Sequence, residues 1–216
     1  SPCITELVYG ESAIINGKKG DWLNIDCEDG YNGWIQSFYG LKSPTKKPYN
    51  YITAFPYSDG LFKPSLPFGS RTNGQYTGSS LVKKKLGIHS VVQILNNLLG
   101  IPYKWGGKTS LGFDCSGLVQ SVLYVCGFRV PRDANQQRVF FQNSEVPIAK
   151  SEPGDLHFFG KNGSVSHVGF SMGGLDIIHS QGIVKIDSLN QTSKVFNKNP
   201  LDIYLSTCSI KRKFQE

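Results

Sequence analysis

Gly112-Phe113-Asp114-Cys115-Ser116-Gly117-Leu118-Val119-Gln120-Ser121-Val122-Leu123-Tyr124-Val125-Cys126-Gly127 is the stretch on which the fold is decided. From Asp114 or Cys115 to Cys126 it predicts a helix. Leu118, Val119, Val122, Leu123 and Val125 supply the apolar positions, and Gly127 supplies the residue that stops it. Cys115 then sits at the helix mouth, where unpaired backbone N–H groups and the macrodipole favour a thiolate. The same N–H groups are able to hold an oxyanion during acyl transfer. Gly112 and Gly117 leave room for a substrate backbone. The alternative is a small buried cysteine that packs a helix end.

Upstream, Ile88, Val91, Val92, Leu95, Leu98 and Leu99 recur at helical spacing until Gly100 and Pro102, which predicts a helix of about ten residues. Downstream, Asp133 follows Pro131-Arg132 as an N-cap candidate for a short helix to about residue 140. After Pro153-Gly154-Asp155 the pattern changes to strands, at 156–159, 167–171, 176–180, 184–187 and 201–205, with a Gly173-Gly174 turn. Helices first and strands afterwards is an α+β arrangement with an antiparallel sheet.

A nucleophilic thiol needs a histidine that is near in space but free to be far in sequence. Among the four histidines, His167 opens one predicted strand and His179 closes the next. Neighbouring antiparallel strands would present both rings at one sheet surface, one as base and the other fixing its tautomer. His89 and His157 are read as ordinary structural or surface residues. Cys115, His167 and His179 would also make a three-ligand zinc site. With no acidic residue at a tight ligand spacing, the covalent thiol reading without metal or cofactor is preferred.

The remaining composition narrows the classes. The 216 residues carry 23 Lys and Arg against 16 Asp and Glu, a net charge of +7, with 39% hydrophobic and 12% aromatic residues. That is enough apolar matter to form a core, so wholesale disorder is excluded. Basic residues are scattered, and no recognition motif points to nucleic acid. No apolar run approaches the roughly 20 residues of a membrane helix. The five cysteines, Cys3, Cys27, Cys115, Cys126 and Cys208, form no CxxC and an odd number, which argues against a disulfide framework. No basic-then-apolar leader opens the sequence. With the unpaired thiols, this gives cytoplasmic location as the expectation, with export the alternative if a leader has been removed.

The first 85 residues differ in character. Short apolar or alternating runs at 6–9, 12–15, 22–27 and 33–36 are separated by Asn16-Gly17, Lys19-Gly20-Asp21 and Asp29-Gly30, as in a small barrel or sandwich. Residues 42–50, with Pro44 and Pro48, read as a linker. Pro56, Pro64 and Pro67 argue against long strands from 51 to 76, and 77–85 reads as a polar connection. The expected divisions are 1–45, 46–85 and 86–216.

Six motifs, taken in order, resemble the NlpC-type family of cell-wall cysteine peptidases. They are Ile101-Pro102-Tyr103-Lys104-Trp105-Gly106-Gly107, Asp114-Cys115-Ser116-Gly117-Leu118-Val119-Gln120, Pro131-Arg132-Asp133, Pro153-Gly154-Asp155-Leu156, Ser166-His167-Val168-Gly169 and Ile178-His179-Ser180. The resemblance covers about 88–205. It implies a papain-like α+β fold and hydrolysis of peptidoglycan stem peptides or muropeptides by a Cys–His–polar triad. Cys115 would be the nucleophile, His167 the base and His179 the orienting member. It further places Tyr103 near the nucleophile and gives Asp114 and Ser116 to the substrate's free amino end. The N-terminal runs 7–11, 20–23 and 29–35 resemble a bacterial SH3-like module, and 48–85 a reduced second copy. Modules in this arrangement accompany enzymes that cut between D-Glu and the diamino acid and require a free N-terminal L-Ala. Glu11 would help bind that amine. A mildly basic monomer suits carboxylate-rich peptidoglycan fragments. Two departures stand out: Ala134 replaces the serine of the Pro-Arg-Asp-Ser pattern, and the first module's usual opening strand is shortened or absent. The same fold would also serve a lytic hydrolase of intact wall, an amidase or acyltransferase, or a wall-binding protein without catalysis.

Overall fold

A helix that is apolar or small on every side must be surrounded, and the cysteine-bearing segment is such a helix. The computed structural model describes residues 3–46, 48–54, 66–73, 81–82 and 86–215. In chain order these form β1 (Ala13–Lys19), β2 (Trp22–Cys27), β3 (Asn32–Gln36), β4 (Tyr51–Thr53), β5 (Arg71–Thr72), β6 (Leu81–Val82), α1 (Val91–Asn97), β7 (Lys108–Thr109), β8 (Gly112–Phe113) and α2 (Cys115–Cys126). There follow α3 (Ala134–Phe141), β9 (Glu145–Val146), β10 (Leu156–Lys161), β11 (Ser164–Gly173), β12 (Asp176–Gln181), β13 (Ile183–Ser188), α4 (Lys198–Asp202), β14 (Tyr204–Cys208) and α5 (Ile210–Phe214). Every α2 residue except Cys115 and Tyr124 is buried. The helix packs on β11, β12 and α1. Leu118, Val119, Val122 and Leu123 join Phe158, Val168, Phe170 and Ile178 in one apolar core. Gly127 ends α2 at φ 99°, donating its N–H to the carbonyls of Leu123 and Tyr124.

The main sheet has six strands in the order β13-β12-β11-β10-β14-β9, with every pairing antiparallel. This is the expected α+β arrangement. Two smaller three-stranded sheets precede it, β1-β2-β3 and β5-β4-β6. Among the described residues no helix is long and apolar enough to cross a membrane.

Three expectations need correction. Residues 6–9 are not a strand: the Tyr9 carbonyl accepts from the Arg71 N–H, and the Val8 N–H goes to the Glu11 side chain. The segment is therefore bonded outward rather than into a ladder. The run 201–205 is divided between α4 and β14. Asn197 caps α4 through the Asn199 N–H, and Pro200 in its first turn favours helix over strand. The helix at 88–99 is shortened to α1 by a 3-10 turn at Ile88–Ser90 and by Gly100 at φ 84°. Apart from β6, the connection expected at 77–85 falls mostly outside the described residues, as do Pro56 and Pro64.

Candidate active site

Asp114 builds the mouth of α2. Its Oδ1 accepts from the Gly117 N–H at 2.6 Å and its Oδ2 from the Gly106 N–H at 2.9 Å. Arg132, 1% exposed, donates to both oxygens, at 3.0 and 2.5 Å, and also to Ser116 Oγ at 3.0 Å. Gly117 is required here, because a Cβ would lie 2.1 Å from the Gly107 carbonyl oxygen. Glycines and a neutralised carboxylate thus press the Trp105–Gly107 turn against the first turn of α2. Cys115, partly exposed and free, projects from that turn.

The histidines arrive from the sheet. Phe170 pairs with Ile178 between β11 and β12, and one more step of that register sets Gly169 opposite His179. His167 lies two residues from Gly169, so both rings share a face. Gly169 makes the approach possible: a Cβ there would come within 2.8 Å of His179 Cβ. His167 Nε2 lies 2.6 Å from His179 Nδ1, and His179 Nε2 lies 3.0 Å from Asp187 Oδ2 on β13. The Ser180 hydroxyl, next to His179, donates to the Phe113 carbonyl at 2.7 Å and so ties β12 to the segment that leads into Cys115. A cleft of about 390 Å³ opens beside His167, lined also by Tyr103, Ser166, Gln181, Asn199 and Ile203.

Burial sets the resting protonation. It pushes the Cys115 thiol up to about 11, with the Asp114 carboxylate adding to the rise; the backbone at Val168 and Ser116 and the Arg132 guanidinium pull the other way. Burial also pushes His167 down to about 3, helped by His179 and Lys185. The resting pair is therefore a thiol and a neutral imidazole, not the thiolate expected from the helix mouth alone. The Cys115 sulfur lies against the backbone of Val168, the residue next to His167. Burial and then Cys115 raise the Tyr103 phenol, placing it in the electrostatic reach of the sulfur.

The other anticipated residues lie elsewhere. The Glu11 side chain is 3% exposed and meets Lys108 Nζ at 3.3 Å, Arg71 at 3.7 Å and the Val8 N–H at 3.0 Å. Ser116 is buried against Arg132. His89 is exposed on its 3-10 turn, and His157 is buried with Nδ1 2.7 Å from Thr207 Oγ1. The sequence reading overlooked Asp187 and the Tyr31–Asp133 contact, whose oxygens lie 2.5 Å apart. Among the described residues no group of three His, Cys, Asp or Glu side chains is placed to hold a metal.

Residues 100–202 match the NlpC/P60 family. They form an NlpC/P60 domain. The family is one of cysteine peptidases, and the matched residues include Cys115, His167 and His179. Over 98% of its length this chain is 27% identical to a gamma-D-glutamyl-L-lysine dipeptidyl-peptidase of Bacillus subtilis (strain 168), covering 81% of that protein. The protein of the same name from Bacillus cereus (strain ATCC 10987 / NRS 248) is 26% identical over 82% of this chain and 66% of its own length. Among solved structures, an NlpC/P60 family protein from Bacillus cereus ATCC 10987 superposes with a TM-score of 0.73 at 21% identity, covering 95% of this chain and 81% of that one. The shared fold thus extends beyond the NlpC/P60 domain into the two small N-terminal sheets.

Proposed function

We propose that this NlpC/P60 protein is a cysteine endopeptidase that cuts peptidoglycan stem peptides between D-Glu and the diamino acid, and that it prefers fragments with a free N-terminal L-Ala. The observation that carries the proposal is Cys115 at the mouth of α2 beside a strand whose His167 is linked to His179. The similarity to the gamma-D-glutamyl-L-lysine dipeptidyl-peptidase of Bacillus subtilis over 98% of this chain supports the bond and the substrate class.

In the proposed reaction His167 takes the thiol proton as the Cys115 sulfur attacks the γ-glutamyl carbonyl. Backbone N–H groups at the start of α2 hold the oxyanion. The C–N bond breaks and His167 returns the proton to the leaving amine. A water molecule, deprotonated by the same ring, then hydrolyses the thioester. Tyr103 borders the cleft within electrostatic reach of the sulfur, and Asp114 and Ser116 hold the first turn of α2 through Arg132.

The N-terminal sheets are read as SH3-like modules docked on the NlpC/P60 domain through Tyr31–Asp133 and the ion pairs of Lys108. Glu11 and Asp114 already have basic partners inside the chain. Asp133, one residue from Arg132, has no salt bridge among the described residues and meets only Tyr31 from the first sheet. It is the carboxylate best placed to accept a substrate ammonium at the junction. The exposed Cys3 thiol and the free Cys115 thiol both suit a reducing compartment, which supports recycling of wall fragments in the cytoplasm as the setting we propose.

The test compares L-Ala-γ-D-Glu-diamino acid, its N-acetyl derivative and intact sacculi as substrates of the full chain. The free tripeptide is expected to be cut between D-Glu and the diamino acid, with the other two cut at least about tenfold more slowly. Cys115→Ala should lower turnover by about a thousandfold or more at unchanged folding. Hydrolysis persisting in Cys115→Ala overturns the mechanism; equal turnover of blocked and free peptide overturns the amine requirement.

A further inference from the structure

We propose that Asp187 is a positioning residue of the catalytic apparatus: it fixes the tautomer of His179, and through His179 that of His167, so that His167 Nδ1 is left free to take the Cys115 proton. The inference rests on the thiol–imidazole reading of the site and adds a fourth member to it.

The argument is one of donors and acceptors. An ionised carboxylate only accepts. Burial opposes the ionisation of Asp187, but hydrogen bonds from Asn197, Lys185 and His179 prevail and hold it below the usual carboxylate range. Asn197 Nδ2 lies 2.6 Å, Lys185 Nζ 3.0 Å and His179 Nε2 3.0 Å from the same Oδ2. His179 Nε2 must therefore carry its hydrogen. Burial, the leading influence on His179, keeps the ring neutral despite Asp187, so its Nδ1 is a lone pair. The 2.6 Å contact to His167 Nε2 can then be made only if His167 Nε2 is the donor. A neutral His167 consequently has its lone pair on Nδ1. Each link is forced by the one before, and the carboxylate is the sole fixed end of the chain.

The backbone supports this reading. His179 pairs with Lys185 across the β12–β13 hairpin, and Asp187 lies two residues further along on the same face. Asn197 reaches it from the cap of α4. Three elements thus converge on one carboxylate oxygen that is remote in sequence from Cys115. The charged and titratable groups that bear on His167 are His179, Lys185 and Asp187 from the sheet; the backbone of its neighbour Val168 reaches the Cys115 sulfur, and the Phe159 ring packs on His167 with centroids 5.9 Å apart.

Asp187→Asn presents an amide that can donate to His179 Nε2 and reverse the chain, leaving His167 with a hydrogen on Nδ1. Turnover of the tripeptide is expected to fall by about 10- to 100-fold in kcat with KM little changed, and Asp187→Glu should restore part of it. The alkylation rate of Cys115 by iodoacetamide, followed at its own peptide by mass spectrometry across pH 5–10, should shift its profile in Asp187→Asn. That readout needs no substrate, so a protein that alkylates as expected but does not cut the tripeptide refutes the proposed function and not the role of Asp187. Histidine ¹⁵N NMR of the wild-type protein should show the Nε2–H tautomer at His179. A wild-type Nδ1–H tautomer overturns the proposal even where the variant does not fold, as does an Asp187→Asn protein with unchanged kcat and alkylation profile.

Discussion

The two parts of the molecule are held by different forces. Around α2 the NlpC/P60 part buries Leu118, Val119, Val122, Leu123, Phe158, Val168, Phe170 and Ile178 in one cluster. At about 25 cal/mol per Å² each such side chain contributes roughly 2 kcal/mol. The first N-terminal sheet has only Leu23 and Ile25 as buried apolar side chains, while Ile14, Trp22 and Trp34 remain exposed. Two such residues do not offset the conformational entropy of ordering three strands. What fixes this sheet is charge. Lys108 of β7 meets Glu11 and Asp29, Arg71 meets Glu28, and the Arg71 guanidinium lies 4.8 Å from the Tyr124 ring centroid on α2. Apolar packing is non-directional and gives α2 and the sheet a rigid relation. Ion pairs are directional, and removing one partner leaves an unsatisfied charge behind. Rigid packing therefore sits around Cys115, His167 and His179, and charged, directional contacts sit at the junction with the N-terminal sheets.

Arg132 tests that contrast most severely, because it belongs to both parts. It neutralises Asp114 at the mouth of α2 and reaches the Thr5 hydroxyl of the N-terminal segment at 3.2 Å. Arg132→Met keeps the side-chain bulk and strands a buried carboxylate. Chemical denaturation should register a loss of about 4 kcal/mol. A loss under about 1 kcal/mol would mean that the carboxylate finds water or protonates, and that charge does not hold the junction.

Acid should separate the two parts next. His157 is fully buried, and burial pushes it down to about 4. The unfolded chain titrates near 6.5, so between about pH 6.5 and 4 it binds a proton that the native state refuses. Stability is whole above that window and falls as pH drops through it, by about 3 kcal/mol for this ring. The junction responds later. Burial opposes ionisation of Glu28 and Asp29, but bonds from Lys46, Arg71, Lys108 and Thr5 hold both below the usual carboxylate range. Their contribution is present above the unfolded values and is lost only as pH falls below about 4. Urea midpoints measured from pH 7 to 3 should fall in two stages, and His157→Phe should remove this ring's share of the first and leave the second, the rest of the first belonging to His167 and His179, which burial also pushes down. A single stage below pH 4 in the wild-type protein would refute the assignment.

Much of the catalytic part was legible because local signals agreed. Gly127 and the polar pair Asp114 and Ser116 bracket an apolar run, and α2 falls at Cys115–Cys126 as expected. The strands bearing His167 and His179 lie where alternation placed them, as β11 and β12. What escaped depends on contacts distant in sequence. Arg132 and Asp114 are 18 residues apart, and nothing local announces that one neutralises the other. Asp187, in the run Val184-Lys185-Ile186-Asp187, looks like a solvated strand face. A signal was present even so: a hairpin about Gly182 puts Lys185 opposite His179 and Asp187 on the same face. At 6–9 apolar character alone misled, since the carboxylate of Glu6 holds the Lys108 N–H and the segment serves as a strap rather than a strand.

The smallest expected effect is at the point where the two parts meet most lightly. Asp133 is the N-cap residue of α3, yet its side chain makes no capping bond and instead accepts from the Tyr31 hydroxyl. Ordinary capping would satisfy the helix; the observed contact satisfies the junction. Burial and then Asp133 push the Tyr31 phenol up to about 12, so it remains a donor at every working pH. Tyr31→Phe removes one hydrogen bond to a charged group and should cost about 1 to 2 kcal/mol, measured by denaturation. If the contact were only adhesive, that loss would be its whole effect. If Asp133 receives a substrate ammonium, Tyr31→Phe should also lower kcat/KM for the free tripeptide while leaving the N-acetyl peptide unchanged, so that selectivity between the two narrows by several-fold. An equal change for both peptides would make Tyr31 a fastener and return the choice of substrate end to the catalytic part.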